Sequence, residues 1–271
     1  MMILSIITIT YNNIAGLKRT VESVTRQQFH DWELIVVDGA SNDGTLEWLA
    51  EFKRNNQAVN FHYVSEPDNG VYEAQNKGIR MTTGDYCFFL NAGDVFCDEH
   101  VLTQMFQDKP TADIVYGNEI VVDADGRRVG YCKGVENPTF LDLYQSCMKH
   151  QATFIHKSLF DKYGMYDDSL RIVADWEWFL RIIAFHDDVT LQYKNIDVTF
   201  FEAGGFSYTH PEICKAENAI VRKRYMSSKR MQADYDFFCR YERLRDAERY
   251  TILHFLLKAI MWCIKYIRRK R

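Results

Sequence analysis

The chain has 271 residues, 47% hydrophobic and 26% charged, a composition that supplies one large globular domain or one domain with an appendage. Its seven scattered cysteines include no C-x-x-C pair, which argues against a disulfide or zinc framework and for a reducing compartment. From Lys215 onward there are 16 Lys+Arg against 6 Asp+Glu, net +10, and before it 17 against 31, net −14. So acidic a body excludes nucleic acid as a natural partner, and the basic tail points to a separate task.

The opening residues are apolar but lack a basic n-region and a small-residue cleavage site, so they read as a first strand rather than a signal peptide. Residues 3–10 are β-rich and almost continuously apolar, as in a strand covered on both faces. Leu17, Val21 and Val24 then recur at helical spacing. Residues 32–37 predict a second buried strand, ending in the turn-rich loop from Asp38 to Gly44. A helix is predicted over 45–52, a short strand over 61–64, a helix over 70–81 and a buried strand over 86–90.

Strands alternating with helices predict an α/β fold, with a mainly parallel sheet covered by helices. Ligands collect outside the carboxyl ends of such strands. Three of these ends carry polar residues: Thr10-Tyr11-Asn12, Asp38, and Asn91 with Asp94. A dinucleotide-binding loop needs G-x-G-x-x-G after the first strand, where this chain offers only Gly16, and no G-x-x-x-x-G-K-[S/T] loop occurs. Any diphosphate must then be neutralised otherwise, for example by a divalent metal on a strand-end carboxylate.

Seven segments occur in order: "SIITITYNN", "ELIVVDGASNDGT", "SEPDNGVYEAQNKGI", "GDYCFFLNAGD", "KHQATFI", "RIVADWEWFLR" and "FFEAGGFS". As a set, over residues 2–210, they resemble the family 2 glycosyltransferases of GT-A fold, especially bacterial exopolysaccharide enzymes of the colanic-acid type. The resemblance implies that Thr10, Tyr11, Asn12 and Asp38 hold the nucleotide base, since a carboxylate can accept from an imide N–H. It lays Glu66, Asp68, Asn76 and Lys77 along ribose and diphosphate, the alternatives being a plain turn for Asp68-Asn69-Gly70 and a solvated helix face for Lys77. "LNAGD" matches the family's D-x-D motif with Asn91 in the first acidic position, so Asp94 alone would ligate Mg2+ or Mn2+. Otherwise Asp94 would cap the helix near 98–106. His150, Gln151 and Glu177 match the region of donor sugar and acceptor, and the loop Glu202–Ser207 would shape the sugar pocket.

In "ADWEWFLR" the resemblance makes Asp175 the general base. Glu177 has an ion-pair partner four residues on in Arg181, whereas Asp175 has none on its helix and opens it, where an N-cap would also sit. Trp176, Phe179, Leu180 and Ile183 define the face that would pack on the core. Cys97-Asp98-Glu99-His100 and His186-Asp187-Asp188 lack zinc-site spacing.

The expectation is a GT-A domain over 1–211 and a helical basic extension over 212–271. It would be an inverting, metal-dependent enzyme moving sugar from a UDP-linked donor to a saccharide or lipid-linked acceptor in surface polysaccharide synthesis. A nucleotidyltransferase of related architecture and a non-catalytic sugar-nucleotide-binding module are the alternatives. The first needs a Gly/Arg-rich loop after the first strand, which is not visible. In residues 250–271, Thr251, His254, Lys258, Lys265 and Arg269 share one helical face and nearly all else up to Ile267 is apolar. That pattern predicts a cytoplasmic chain lying on the inner face of the membrane, with packing on the body or on a twin subunit in a homo-oligomer as the alternative.

Overall fold

The computed structural model describes residues 4–146, 148–248, 255–256 and 258–260. Its elements begin β1 (Leu4–Thr10), α1 (Ile14–Thr25), β2 (Trp32–Asp38), α2 (Thr45–Asn55), β3 (Phe61–Ser65), α3 (Val71–Met81), β4 (Tyr86–Phe89), β5 (Val95–Phe96) and α4 (Val101–Phe106). They continue β6 (Ile114–Val122), β7 (Arg128–Cys132), α5 (Phe140–Gln145), a 3-10 turn at His150–Ala152, β8 (Thr153–His156), α6 (Lys157–Tyr163), α7 (Ala174–Ile183) and β9 (Leu191–Glu202). Three helices follow: α8 (Phe206–Thr209), α9 (Pro211–Tyr225) and α10 (Lys229–Glu248).

Among the described residues one nine-stranded sheet runs β3-β2-β1-β4-β8-β6-β9-β5, with β7 paired to β6. The predicted parallel half is present: β3, β2, β1 and β4 pair in parallel. The other half is mixed. β8 pairs antiparallel with β4 and β6, β5 with β9 and β7 with β6, while β6 and β9 are parallel. The sequence showed alternation only over its first ninety residues, so the antiparallel half went unread.

Strands β1 and β2 are apolar on successive residues because helices cover both faces, and six of the seven β1 residues and all seven of β2 are buried. The polar rung of Ser5 and Glu33 is satisfied internally. Ser5 Oγ donates to Glu33 Oε1 at 2.6 Å, and Thr83 N donates to the same oxygen at 2.6 Å, tying β1 and β2 to the turn that starts β4. Gly78 lets α3 approach β1 closely, since a side chain there would collide with Ile7. Phe88 stacks on Phe154 at 4.3 Å between ring centres and Phe106 meets Phe154 edge-on at 5.0 Å, joining β4, β8 and α4.

Helix α7 departs from its one-faced prediction. Ala174, Trp176, Glu177, Trp178, Phe179, Leu180 and Ile182 are all buried, and Ile183 is only half-buried. A helix buried almost all round is held rigidly from several sides. The contacts divide the chain into two compact units, Met1–Asn218 and Ala219–Arg271.

Candidate active site

The end of β4 explains why a core strand stops on small residues. Leu90 N donates to Ile7 O and Ala92 N to Ile9 O, so the chain stays on the sheet until Ala92 and then turns sharply at Gly93, whose φ is +117°. Thr20 of α1 holds that turn: its hydroxyl donates to Asp94 O at 2.7 Å and accepts from Gly93 N at 3.0 Å. The Asn13 amide, which also caps α1, donates to Ala92 O at 3.0 Å. Asp94 is thereby pressed inward, only 4% exposed, with Oδ1 accepting Glu202 N at 3.0 Å. Burial pushes its carboxyl up to about 7, against the Glu202 amide and the nearby His150, while Glu119 and Glu202 add to the rise. Asp94 is not a helix cap, since α4 begins after His100.

The second wall is the entry to α7. Asp175 lies inside the first turn, Val173 holding the cap position, so the N-cap alternative fails. Oδ2 of Asp175 is 2.8 Å from His150 Nδ1, and Oδ1 is 2.8 Å from both the Tyr72 hydroxyl and Trp176 N. Burial opposes ionisation of this carboxyl. The His150 hydrogen bond and charge outweigh it, with help from Tyr72 and Trp176, and hold Asp175 below the ordinary carboxylate value. Ahead of the helix, the buried Glu217 of α9 accepts from Arg171 N at 2.7 Å, Ile172 N at 2.9 Å and Val173 N at 3.3 Å. One carboxylate thus fixes three consecutive amides on the approach to Asp175.

Between these walls lies a cleft of about 1150 Å³. Of the residues singled out from sequence, Thr10, Tyr11, Asp68, Asn91, Asp94, His150, Gln151 and Asp175 line it. Asn12, Asp38, Glu66, Asn76, Lys77 and Glu177 do not. Asn12 takes a left-handed backbone, φ +49°, and its side-chain oxygen accepts from Asn42 N at 2.9 Å, fastening the two loops together. Asp38 is fully buried, accepting from Ser41 Oγ and from Ser65 Oγ at 2.6 Å. Its direct contact with a base would require those serines to release it. Asp68 instead reaches the cleft, on the same side as the exposed ring of Tyr11, both adjoining Gly39.

Lys77, expected along the diphosphate, has as its partners Pro67 O at 2.8 Å, Glu66 at 3.0 Å and Glu73 at 3.4 Å. Lys77 latches the 66–73 loop, and Glu66 is its exposed counter-ion. Asn76 spends its amide on both backbone groups of Tyr166, at 3.0 and 3.1 Å. Glu177 is 2% exposed and pairs with Arg181 at 3.1 Å, away from the cleft. Unread from sequence were Tyr72, Glu119, Lys149 and Glu217; Tyr72 and Lys149 sat in quoted motifs, while Glu119 and Glu217 lay outside them.

Among the described residues no three acidic, histidine or cysteine side chains are gathered to cage a metal. The donor set nonetheless fits a hard dication that keeps other oxygen ligands. Asp94 is a buried carboxylate on the cleft which a cation would favour in its ionised form, with the amide oxygen of Asn91 on the same wall. The clusters set aside from sequence are ordinary: Asp98 accepts from His100 N at 2.7 Å, and Asp188 pairs with Lys162 at 2.7 Å.

Comparison with known proteins agrees with this geometry. Residues 5–164 match the family model described as glycosyl transferase family 2. A "PGL/p-HBAD biosynthesis glycosyltransferase" of Mycobacterium bovis is 30% identical over 208 residues, covering 76% of this chain and 79% of the relative. Among solved structures, S. aureus TarS 1-349 in complex with UDP superposes with a TM-score of 0.58 at 16% identity, covering 82% of this chain and 66% of that one. The mannosyltransferase PcManGT from Pyrobaculum calidifontis, in complex with GDP-Man and Mn2+, gives 0.61 at 15%, covering 83% and 64%. The parallel half-sheet, the strand-end carboxylate and the matched family model together make this chain a glycosyl transferase family 2 member with the GT-A fold.

Proposed function

We propose that the chain moves a sugar, with inversion at the anomeric carbon, from a nucleotide-diphosphate donor to a hydroxyl of a saccharide or lipid-linked saccharide. The observation that carries this reading is one cleft holding both Asp94, at the end of β4, and the Asp175–His150 pair. Inversion by single displacement needs a group for the leaving diphosphate and a base for the attacking hydroxyl. A UDP-linked donor is the reading taken, in keeping with the UDP complex of the similar TarS, while the similar PcManGT holds GDP-Man. The base end of the nucleotide would meet Tyr11 and Asp68, and the buried Thr10 Oγ1, which has no partner, would gain one.

Asp94 would hold Mg2+ or Mn2+ with the diphosphate oxygens and water, and the metal when bound would neutralise charge on the leaving group. Lys149 and Arg171 on the cleft add positive charge there. The Asp175–His150 pair removes the acceptor proton as the new bond forms. A place in the biosynthesis of a surface saccharide is the reading taken, and the mycobacterial relative is likewise named for a biosynthetic role, in PGL/p-HBAD biosynthesis.

The test is incubation with UDP-sugars and Mn2+, scoring free UDP against pyrophosphate. UDP release supports transfer, and its loss in Asp94→Ala assigns the carboxylate. Pyrophosphate would mark a nucleotidyltransferase, and binding with neither product a non-catalytic module.

A further inference from the structure

We propose that the acceptor carries an oxyanion, a phosphate or a carboxylate, close to its attacking hydroxyl, and that Arg171 is the residue that selects it. This rests on the transfer reaction proposed above and specifies the class of acceptor. Arg171 lies on the cleft, four residues before Asp175, and is exposed. Among the described residues no carboxylate pairs with its guanidinium, whereas Arg19 is paired with Glu202 and Arg181 with Glu177. Asp175 is not its counter-ion either, since that carboxylate is held by His150, Tyr72 and Trp176 N.

The residue is held from two sides all the same. Its main-chain N donates to the buried Glu217 at 2.7 Å, the first of the three amides that fix the approach to α7. Its guanidinium lies over the Phe206 ring, 5.0 Å from the centre, and that ring stacks in turn with His210 at 4.1 Å. A ring contact uses none of the five N–H donors of a guanidinium. They remain in the planar fork that matches a carboxylate or a phosphate.

The charge around it makes this arrangement informative. Asp94, Glu119, Asp175 and Glu202 line the same cleft, so an anion entering beside Asp175 meets repulsion that a neutral sugar does not. A guanidinium fixed there and left without a carboxylate offsets that repulsion. The charge of Arg171 acts across the cleft, whereas its N–H groups act at contact, on the wall of Asp175 rather than that of Asp94. The oxyanion they take therefore belongs to the acceptor and not to the donor's diphosphate. It is either the phosphate that links a saccharide to lipid or the carboxylate of an acidic sugar.

One measurement does not depend on turnover. In proton–nitrogen NMR spectra of the arginine-15N-labelled full chain, the Arg171 Nε–H signal is the one absent from Arg171→Lys. With UDP and Mg2+ at saturation and ionic strength held constant by NaCl, inorganic phosphate is expected to shift that signal to a plateau. No shift beyond that of the other exposed arginines would overturn the proposal. So would a signal moved by UDP with Mg2+ and then indifferent to phosphate, which would assign the guanidinium to the donor. With a donor that supports turnover, three acceptors built on one sugar are compared: the neutral alkyl glycoside, the uronic acid glycoside and the alkyl-phosphate-linked sugar. Arg171→Gln should raise the KM of the anionic acceptors about 10–100-fold, the loss of a charge-assisted pair, and change the neutral acceptor and UDP affinity far less. Arg171→Lys should recover only part of this, because an ammonium lacks the planar fork. Preference for the phosphate-linked sugar would identify a lipid-linking phosphate, and preference for the uronic acid an acidic sugar. A wild type that uses the neutral glycoside as well as the anionic ones would refute the selection, and a phosphate-sensitive Arg171 would then bind an adventitious ion only. If the wild type turns over no donor, the transfer reaction itself fails, while the phosphate titration still decides whether Arg171 takes an oxyanion.

Discussion

Asp94 and Lys77 show how the surroundings of a single side chain decide its role. The Asp94 carboxyl, at about 7 in the fold against an ordinary 3.8, binds a proton more tightly folded than unfolded. The metal-free protein therefore loses stability as pH rises between these two values, and the full cost stands above the higher one. Asp94→Asn removes the charge and retains an oxygen for Glu202 N. Its melting temperature should exceed that of the wild type at about pH 8 and match it near pH 4. A difference that is constant across a pH series of melts would refute the buried charge as its cause. Mn2+ competes with the same proton, so its apparent affinity should rise through pH 7. For Lys77, bound to Glu66, Glu73 and Pro67 O, Lys77→Met should cost about 1–2 kcal/mol of stability. Calorimetric affinities for uridine and for UDP should change equally, whereas a phosphate contact would weaken UDP alone.

At the scale of elements, the site is a junction between strand ends and the start of α7, and Glu217 governs the latter. Its carboxylate accepts three amides, from Arg171 to Val173, one turn before the pair of Asp175 and His150. Glu217→Ala strands those amides and should cost about 1–3 kcal/mol together with kcat, leaving the KM for donor nearly unchanged. Glu217→Gln keeps two acceptor lone pairs and should recover part of both. A fall in stability with kcat intact would make the contact purely structural. Strands β1, β2 and β4 with their polar ends could be read from sequence because burial on both faces leaves long apolar runs that stop abruptly. The Asp94 wall was legible for that reason. The Asp175 wall was only half so, because His150 lies 25 residues before its partner, Tyr72 lies 103 before and Glu217 comes from a helix beyond it. Hydrophobic period reports which face of an element is buried, not which distant side chain meets it. The partners of Asp38 and Lys77 were unreadable for the same reason, since motif position names a neighbourhood and the hydrogen bonds choose the partner.

At the scale of the whole molecule, an acidic unit bearing the cleft is followed by a strongly basic one, and a lipid-linked acceptor would give the second a use. Among the described residues no helix is long and apolar enough to cross a membrane. Most of 250–271, on which the membrane-surface expectation rests, lies outside the described residues. Within it Phe255, Leu256 and Ile260 are exposed at 67%, 54% and 54%. Three large apolar side chains so close together in a basic segment suit an interfacial helix, with its rings and branched chains in the acyl boundary and its cations at the headgroups. Attraction of the basic end to anionic lipid contributes ~1 kcal/mol per charge, so the binding should weaken with salt. Flotation of the full chain with vesicles containing phosphatidylserine should carry it to the top of the gradient at low salt. A chain ending at Glu248 should stay at the bottom, and neutral vesicles should retain far less of the full chain. If the full chain fails to float while light scattering reports a dimer that the shorter chain does not form, residues 250–271 serve a twin subunit instead of a membrane.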